Sequence, residues 1–401
     1  MTRDLLERLA TGAVTATATT TEHLERLHEA DARTRAVIAF DDQRALADAA
    51  RLDRALADRG PVGPLHGLPV TVKDWIDVEG FPCAGETDRH DRRPERDATV
   101  VARLRGAGAV VLAKTRVWGE VAHPDDPTRT VGGSSSGEAA AVGAGAALLG
   151  LGSDSGGSIR LPAAWAGVYG LRPTSGRVPA TGHFPRIGAL SDGRTQIGPL
   201  AADVDGLELA LSVIAGPDGR DAGVPPVPLR PAPLGVAGLR VAVTGGEGPW
   251  QPEPAVASAV EQVAERLLAA GARPVPWRYP WLADAWSITQ GYWTRAAGRP
   301  GLTGAEVHRQ LWDWDRFRTR CLEAMDEVDV LVMPATAGSA PVQRALDGAD
   351  FVFTLPASLA GAPALVVPAG RDAAGLPVGV QLVGRPWEDH VLLAAARAAL
   401  G

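Results

Sequence analysis

Two dense clusters of glycine and serine constrain this chain more than any other feature. They are Gly132-Gly133-Ser134-Ser135-Ser136-Gly137 and Gly152-Ser153-Asp154-Ser155-Gly156-Gly157-Ser158-Ile159-Arg160, and an alanine-rich run joins them. Glycine lets a backbone turn tightly and brings its N–H groups close to a bound atom, while serine supplies a hydroxyl that can attack or relay a proton. Such clusters build either an anion cradle or an acyl-transfer site.

The basic residues carry a second signal. Of 40 lysines and arginines only two are lysine, Lys73 and Lys114. Arginine serves almost any surface role but cannot lose its proton in a protein, so a task that needs a neutral amine must keep lysine. A coding bias toward arginine explains the general replacement and leaves the two survivors unexplained.

A chain of 401 residues can bury a large core, and its hydrophobic fraction of 45% and charged fraction of 22% are those of a globular protein. The net charge of −7, without a basic stripe, gives no footprint for nucleic acid. Cys83 and Cys321 have no paired spacing that would suggest zinc or a disulfide framework. Met1 to Ala10 lacks the apolar core of a signal peptide, and no stretch approaches the ~20 apolar residues of a membrane span. The expectation is a soluble, cytoplasmic protein with no membrane partner, no metal and no organic cofactor.

Helix-period apolar residues at Leu5-Leu6, Leu9, Leu24, Leu27 and Ala45 to Leu56 predict surface helices at the start. Leu68 to Asp74 reads as a short strand that ends in charge, as a strand leading into a site would. Ala98 to Arg105 reads as a helix and Ala109 to Ala113 as a buried strand. Further strands are predicted at Leu239 to Val243, Val328 to Met333, Ala364 to Val367 and Val378 to Val383, with helices at Ala255 to Ala270 and His390 to Leu400. This alternation is of the α/β kind. Gly223 to Val236 is proline-rich, and composition alone would split the chain there. Trp277, Trp281, Trp286, Trp293, Trp312 and Trp314 crowd a region without strand pattern, read as a helical insertion whose tryptophans serve packing, with a pocket wall as the minority reading.

Two short motifs are decoys. Gly133-Ser134-Ser135-Ser136-Gly137 satisfies G-x-S-x-G, but His123-Pro124-Asp125-Asp126-Pro127 cannot form the strand that a nucleophile elbow needs. Gly108 to Thr115 faintly resembles a phosphate-binding loop, yet Ala113 occupies the glycine position. Lys114 is therefore expected to be a surface charge at a strand end.

The stronger arrangement sets Lys73 near a strand end and Ser134 and Ser158 each after two glycines, a serine–lysine acyl-transfer device. At this point the chain resembles the amidase signature family. The matching motif runs from Gly132-Gly133-Ser134-Ser135 through Gly150-Leu151-Gly152-Ser153-Asp154-Ser155-Gly156-Gly157-Ser158-Ile159-Arg160 to Gly170-Leu171-Arg172-Pro173-Thr174. His66 to Asp74 looks like the family's lysine strand and Gly375 to Gly384 like its C-terminal strand, so the resemblance covers nearly the whole chain.

The resemblance implies a single large domain over 1–401, with a mixed central β-sheet flanked by helices and a short helical insertion. Its parts would be N-terminal helices about 1–60, a catalytic core about 61–222, a proline-rich connection about 223–237, and a C-terminal part of the same sheet about 238–401 with the insertion about 280–325. It implies Ser158 as nucleophile, Ser134 as a bridging serine after a cis peptide, and Lys73 as a base whose burial favours the free amine. Backbone N–H groups of Ser155, Gly156, Gly157 and Ser158 would form the oxyanion hole. Asp154 and Arg160 would support that loop.

Some positions depart from the family pattern. Ser136 stands where glycine is usual, and Trp75 follows Lys73-Asp74 where a small polar residue is usual. The stretch between Glu120 and Thr130 is shortened. Trp75, together with Ser135, is assigned to the substrate pocket, where the indole would narrow the cleft or stack on a flat group. The implied activity is hydrolysis of a small-molecule carboxamide through an acyl-enzyme. The alternatives are an acyltransferase that passes the acyl group to an amine, and a glutaminase-type subunit of an amidotransferase. A homodimer is the default expectation for assembly.

Overall fold

Short apolar strands, most of them buried along their whole length, make the frame of the molecule. The computed structural model describes residues 1–400 except 86–91, 120, 188–191 and 297–301, and the side chains of 293–296 are likewise outside it. Glu120 and the Trp293 side chain, both named above, therefore lie outside the described residues.

The strands are β1 (Val37–Phe40), β2 (Pro69–Lys73), β3 (Val110–Thr115), β4 (Leu149–Asp154), β5 (Tyr169–Arg172), β6 (Gln196–Ala201), β7 (Arg240–Val243), β8 (Arg273–Pro274), β9 (Val330–Pro334), β10 (Ala364–Arg371) and β11 (Pro377–Gly384). They form one 11-stranded sheet in the order β1-β3-β2-β4-β6-β5-β10-β11-β9-β7-β8. Pairing is parallel around β2 and between β7 and its neighbours, and antiparallel elsewhere, so the sheet is mixed. Strand β5 pairs directly with β10 through Ala364 and Arg172, which carries the sheet past the proline-rich stretch. Composition alone would divide the chain there; the hydrogen-bonded ladder does not.

Helices cover both faces. On one side lie α2 (Ala16–Thr34), α3 (Asp42–Arg59), α5 (Ser136–Gly143) and α6 (Arg160–Ala166). On the other lie α4 (Thr99–Gly106), α7 (Val204–Ile214), α8 (Pro254–Ala269) and α12 (Asp389–Ala398). Helix α1 (Thr2–Ala10) packs at the start of the chain. Thr15 and Asp41 cap α2 and α3 by accepting backbone N–H groups, which suits their short oxygen-bearing side chains. The tryptophan-rich region forms α9 (Leu282–Ala296) and α10 (Gly304–Met325), with α11 (Leu355–Ala360) packed beside them. Trp281 is fully buried and its ring lies 4.8 Å from that of Trp277, so these two indoles serve packing.

The segment between the two serine clusters holds an element that the sequence hides. Strand β4 reads Leu-Gly-Leu-Gly-Ser-Asp, and glycine is a poor strand former. Its glycines make room for what lies above them. A Cβ on Gly150 would collide with the Glu138 carboxylate from α5, and one on Gly152 would lie 2.7 Å from Ser135 Oγ. Close approach of the first serine cluster to the strand that carries the second requires this composition.

Candidate active site

Strand β2, between β3 and β4, carries Lys73 at its C-terminal end, with the whole side chain buried. Its Nζ lies within hydrogen-bond distance of Ser134 Oγ at 2.7 Å, Ser135 Oγ at 3.1 Å and the Ser153 carbonyl at 3.3 Å. The Gly133-Ser134 peptide is cis. Ser135 is fully buried, and its hydroxyl is engaged by Lys73 and by the backbone of Ser153. The close packing of the first cluster on β4 turns this side chain inward.

The second cluster begins where β4 ends. Asp154 is buried and holds the loop that follows from both sides. Its Oδ1 accepts Gly157 N–H at 2.8 Å and its Oδ2 accepts Ile159 N–H at 3.1 Å. Arg160 donates Nε to Oδ2 at 3.0 Å and Nη2 to Oδ1 at 2.9 Å, a planar fork matched to a carboxylate. Burial pushes the Asp154 carboxyl up, but the charge and hydrogen bonds of Arg160, aided by Arg172, outweigh it and hold it at about 2. The remaining Arg160 donors reach the Thr354 carbonyl, Gln381 Oε1 and Ser358 Oγ, tying the loop to α11 and β11.

This grip fixes which backbone donors remain open. Gly157, at a φ of 135°, gives its N–H to Asp154, and a Cβ there would strike Thr354. The N–H groups of Ser155, Gly156 and Ser158 have no acceptor among the described residues. Ser158 follows at the head of α6, and its carbonyl accepts Ser135 N–H at 3.0 Å, which joins the two clusters. No hydrogen bond links the Ser134 and Ser158 hydroxyls among the described residues.

A cavity of about 480 Å³ opens beside Gly132 and is lined by Trp118, Thr130, Arg344 and Leu346. Trp118 meets Phe351 edge to face at 6.1 Å and packs against Gly133, so an aromatic wall flanks the first cluster. Trp75 is partly buried, and its ring lies against Lys73, with Nζ 4.3 Å from the ring centroid.

Lys114 is not a surface charge. It is fully buried, and its Nζ donates to the carbonyls of Asp74, at 3.0 Å, and Ile76. Burial pulls its pKa down. The spacing of β3 gives no hint of this, because an extra residue at Leu112 shifts the register and redirects the side chain.

Two further buried groups escape sequence reasoning. Glu138 on α5 accepts hydroxyl protons from Thr71 and from Thr115, the latter at 2.6 Å, and burial raises its pKa to about 7. His183 joins Ser153 Oγ through Nε2 at 3.1 Å and the Pro185 carbonyl through Nδ1 at 2.8 Å. A carbonyl only accepts, so Nδ1 carries the hydrogen and Nε2 accepts from Ser153. Burial lowers the His183 pKa to about 4, which keeps the ring neutral. No group of three or more His, Cys, Asp or Glu side chains among the described residues is arranged to hold a metal.

The mixed sheet thus brings together a buried lysine, two serine clusters and an anchored glycine loop, and these define the class of the site. Comparison with known proteins gives the class a family. The amidase family profile matches residues 18–311 and 303–393, and the chain belongs to that family. It is 34% identical to a glutamyl-tRNA(Gln) amidotransferase subunit of Chlorobium luteolum, over 98% of this chain and 95% of that one. It is 32% identical to the 1-carboxybiuret hydrolase subunit AtzE of Pseudomonas sp. strain ADP, over 99% and 97%. The peptide amidase of Stenotrophomonas maltophilia superposes with a TM-score of 0.82 at 30% identity, over 99% of this chain and 95% of that one. Among the described residues no helix is long and apolar enough to cross a membrane.

Proposed function

We propose that this chain hydrolyses small-molecule carboxamides through an acyl-enzyme on Ser158. The observation that carries the reading is the buried Lys73 amine 2.7 Å from Ser134 Oγ, beside a glycine loop in which the N–H groups of Ser155, Gly156 and Ser158 have no acceptor among the described residues. Desolvation penalises the ammonium form of a buried amine, so Lys73 can act as base. The Ser158 hydroxyl proton passes to Ser134 Oγ as the Ser134 proton passes to Lys73 Nζ. The freed Ser158 oxygen forms a bond to the amide carbon. Once substrate is bound, this requires the Ser134 and Ser158 hydroxyls to close to hydrogen-bond distance, as catalytic contacts commonly do.

The carbonyl oxygen becomes an oxyanion, to which the N–H groups of Ser155, Gly156 and Ser158 can turn. Gly157 is left out of that set, since its N–H serves Asp154. The proton returns from Lys73 to the departing nitrogen, the C–N bond breaks, and water attacks the ester by the same relay. The cavity beside Gly132, walled by Trp118 and Leu346, suits an apolar or aromatic acyl group.

A second reading is favoured by the 34% identity to an amidotransferase component: release of ammonia from glutamine within a larger assembly. A turnover screen over primary amides, anilides and glutamine, with Ser158→Ala as blank, tests both. Ser158-dependent release of ammonia or amine by the isolated chain supports the first. Glutaminase activity that appears only with a co-purifying partner supports the second, and turnover undiminished in Ser158→Ala contradicts both.

A further inference from the structure

Three oxygens, from Ser134, Ser135 and Ser153, take up the Lys73 amine on one side, and the indole of Trp75 covers another. Trp75 lies two positions along the chain from Lys73, and the sequence alone offers it only as a pocket residue. We infer that Trp75 is a positioning residue for Lys73, whose π face stabilises the amine after it has taken up the proton and so sets its strength as a base. The inference rests on the reading of Lys73 as the base.

The physical basis is a difference between two states. A ring quadrupole attracts an ammonium over its face and offers little to a neutral amine. Burial acts in the opposite sense. An amine that is only buried becomes a feeble base, whereas one with an indole against it accepts the proton more readily. Stabilisation confined to the proton-transferred state lowers the barrier and not the ground state.

The indole does not lie there by chance. Each of the three carbonyls after Lys73 is held from another segment. Lys114 donates to those of Asp74 and Ile76, and Phe184 N–H donates to that of Trp75 at 2.7 Å. Ile76 N–H closes the turn onto the Lys73 carbonyl at 3.0 Å. The His183 ring meets the indole edge to face at 5.9 Å. The second lysine of the chain thus acts on the first by fixing the turn that aims Trp75.

Other titratable groups face this site. Glu138 from α5 and His183 from the segment before β6 act on Lys73, while Asp74, Asp77, Cys83 and Glu138 act on Lys114. His183 stays neutral above about pH 5. Glu138 titrates inside the working range, so its own titration must be removed from the readout.

The test is the second-order rate of Ser158 modification by an alkyl fluorophosphonate between pH 5 and 10, followed by intact mass. It is run for the wild type, Trp75→Phe and Trp75→Leu, each also in a Glu138→Gln background. The expected acidic limb moves to lower pH in the order wild type, Phe, Leu. The full shift is about 0.5–1.5 pH units, and the plateau rate falls several-fold as the base weakens. A limb that stays put, or one that moves up because water reaches the amine, overturns the inference. Should Trp75→Leu fail to fold, Trp75→Phe decides by the same sign. A wild type whose labelling is unaffected by Lys73→Ala would instead remove the reading of Lys73 itself.

Discussion

Lys73 and Lys114 leave neighbouring strands towards opposite faces of the sheet. Thr71 pairs with Ala113, Val72 with Lys114 and Lys73 with Thr115, and paired residues of adjacent strands share a face. Lys73 therefore points to the side of α5 and the serine clusters, and Lys114 to the side of Val72. The irregularity between Val70 and Thr71 makes this so, by adding one residue to β3. Both lysines are fully buried in a chain whose every other basic residue is arginine.

Lys114→Met is expected to lower stability by about 2–3 kcal/mol, because the Asp74 and Ile76 carbonyls lose a buried donor. Lys114→Arg is expected to be no milder, since a planar fork does not fit a site shaped for one ammonium. Urea midpoints check both, and a Lys114→Met midpoint equal to that of the wild type would remove the proposed tie.

Gly150→Ala puts a methyl group into the Glu138 carboxylate and is expected to cost about 1–3 kcal/mol. Glu138→Ala empties that space, so the double variant Gly150→Ala/Glu138→Ala should be more stable than the sum of the single effects. A coupling energy above about 0.5 kcal/mol in a double-mutant cycle is the expected result. Strict additivity would mean the carboxylate moves aside at no cost.

Much of this arrangement is legible in the residues alone. Lys73, Ser134 and Ser158 stand out because few chemistries need lysine and serine flanked by paired glycines. The strands expected from Leu239, Val328, Ala364 and Val378 follow from β-branched runs, and the structure has all four, beginning at Arg240, Val330, Ala364 and Pro377. Strand β4 is hidden because its glycines serve a tertiary contact rather than local propensity. Lys114 reads as a surface charge because one inserted residue, invisible in periodicity, decides which face a side chain takes. Ser134, Ser135 and Ser136 are chemically identical, and only packing tells them apart: the first two lie against Lys73, and the third donates to the Gly132 carbonyl. Glu138 and His183 carry no local motif; Thr71 and Thr115 define the first, and Ser153, 30 residues away, together with nearby Pro185 defines the second.

Glu138 gives the protein a pH dependence of known sign. Burial raises its pKa from 4.5 to about 7, so the folded state holds a proton that the unfolded chain has released. Its contribution to stability is complete below pH 4.5 and is lost as pH rises through about 7. Relative to the wild type, Glu138→Gln should therefore gain melting temperature progressively between pH 4.5 and 7. A constant difference across that window would contradict the buried, protonated carboxyl.

The relay from Ser158 through Ser134 to Lys73 is tested most directly by fluorophosphonate labelling with peptide mapping at about pH 8. The wild type is expected to carry one adduct, on Ser158, and Ser158→Ala none. Lys73→Arg keeps the positive charge but cannot accept a proton, and its labelling should fall by about 10²–10⁴-fold. Labelling of Lys73→Arg within about tenfold of the wild type, or an adduct mapped to Ser135, would contradict the account.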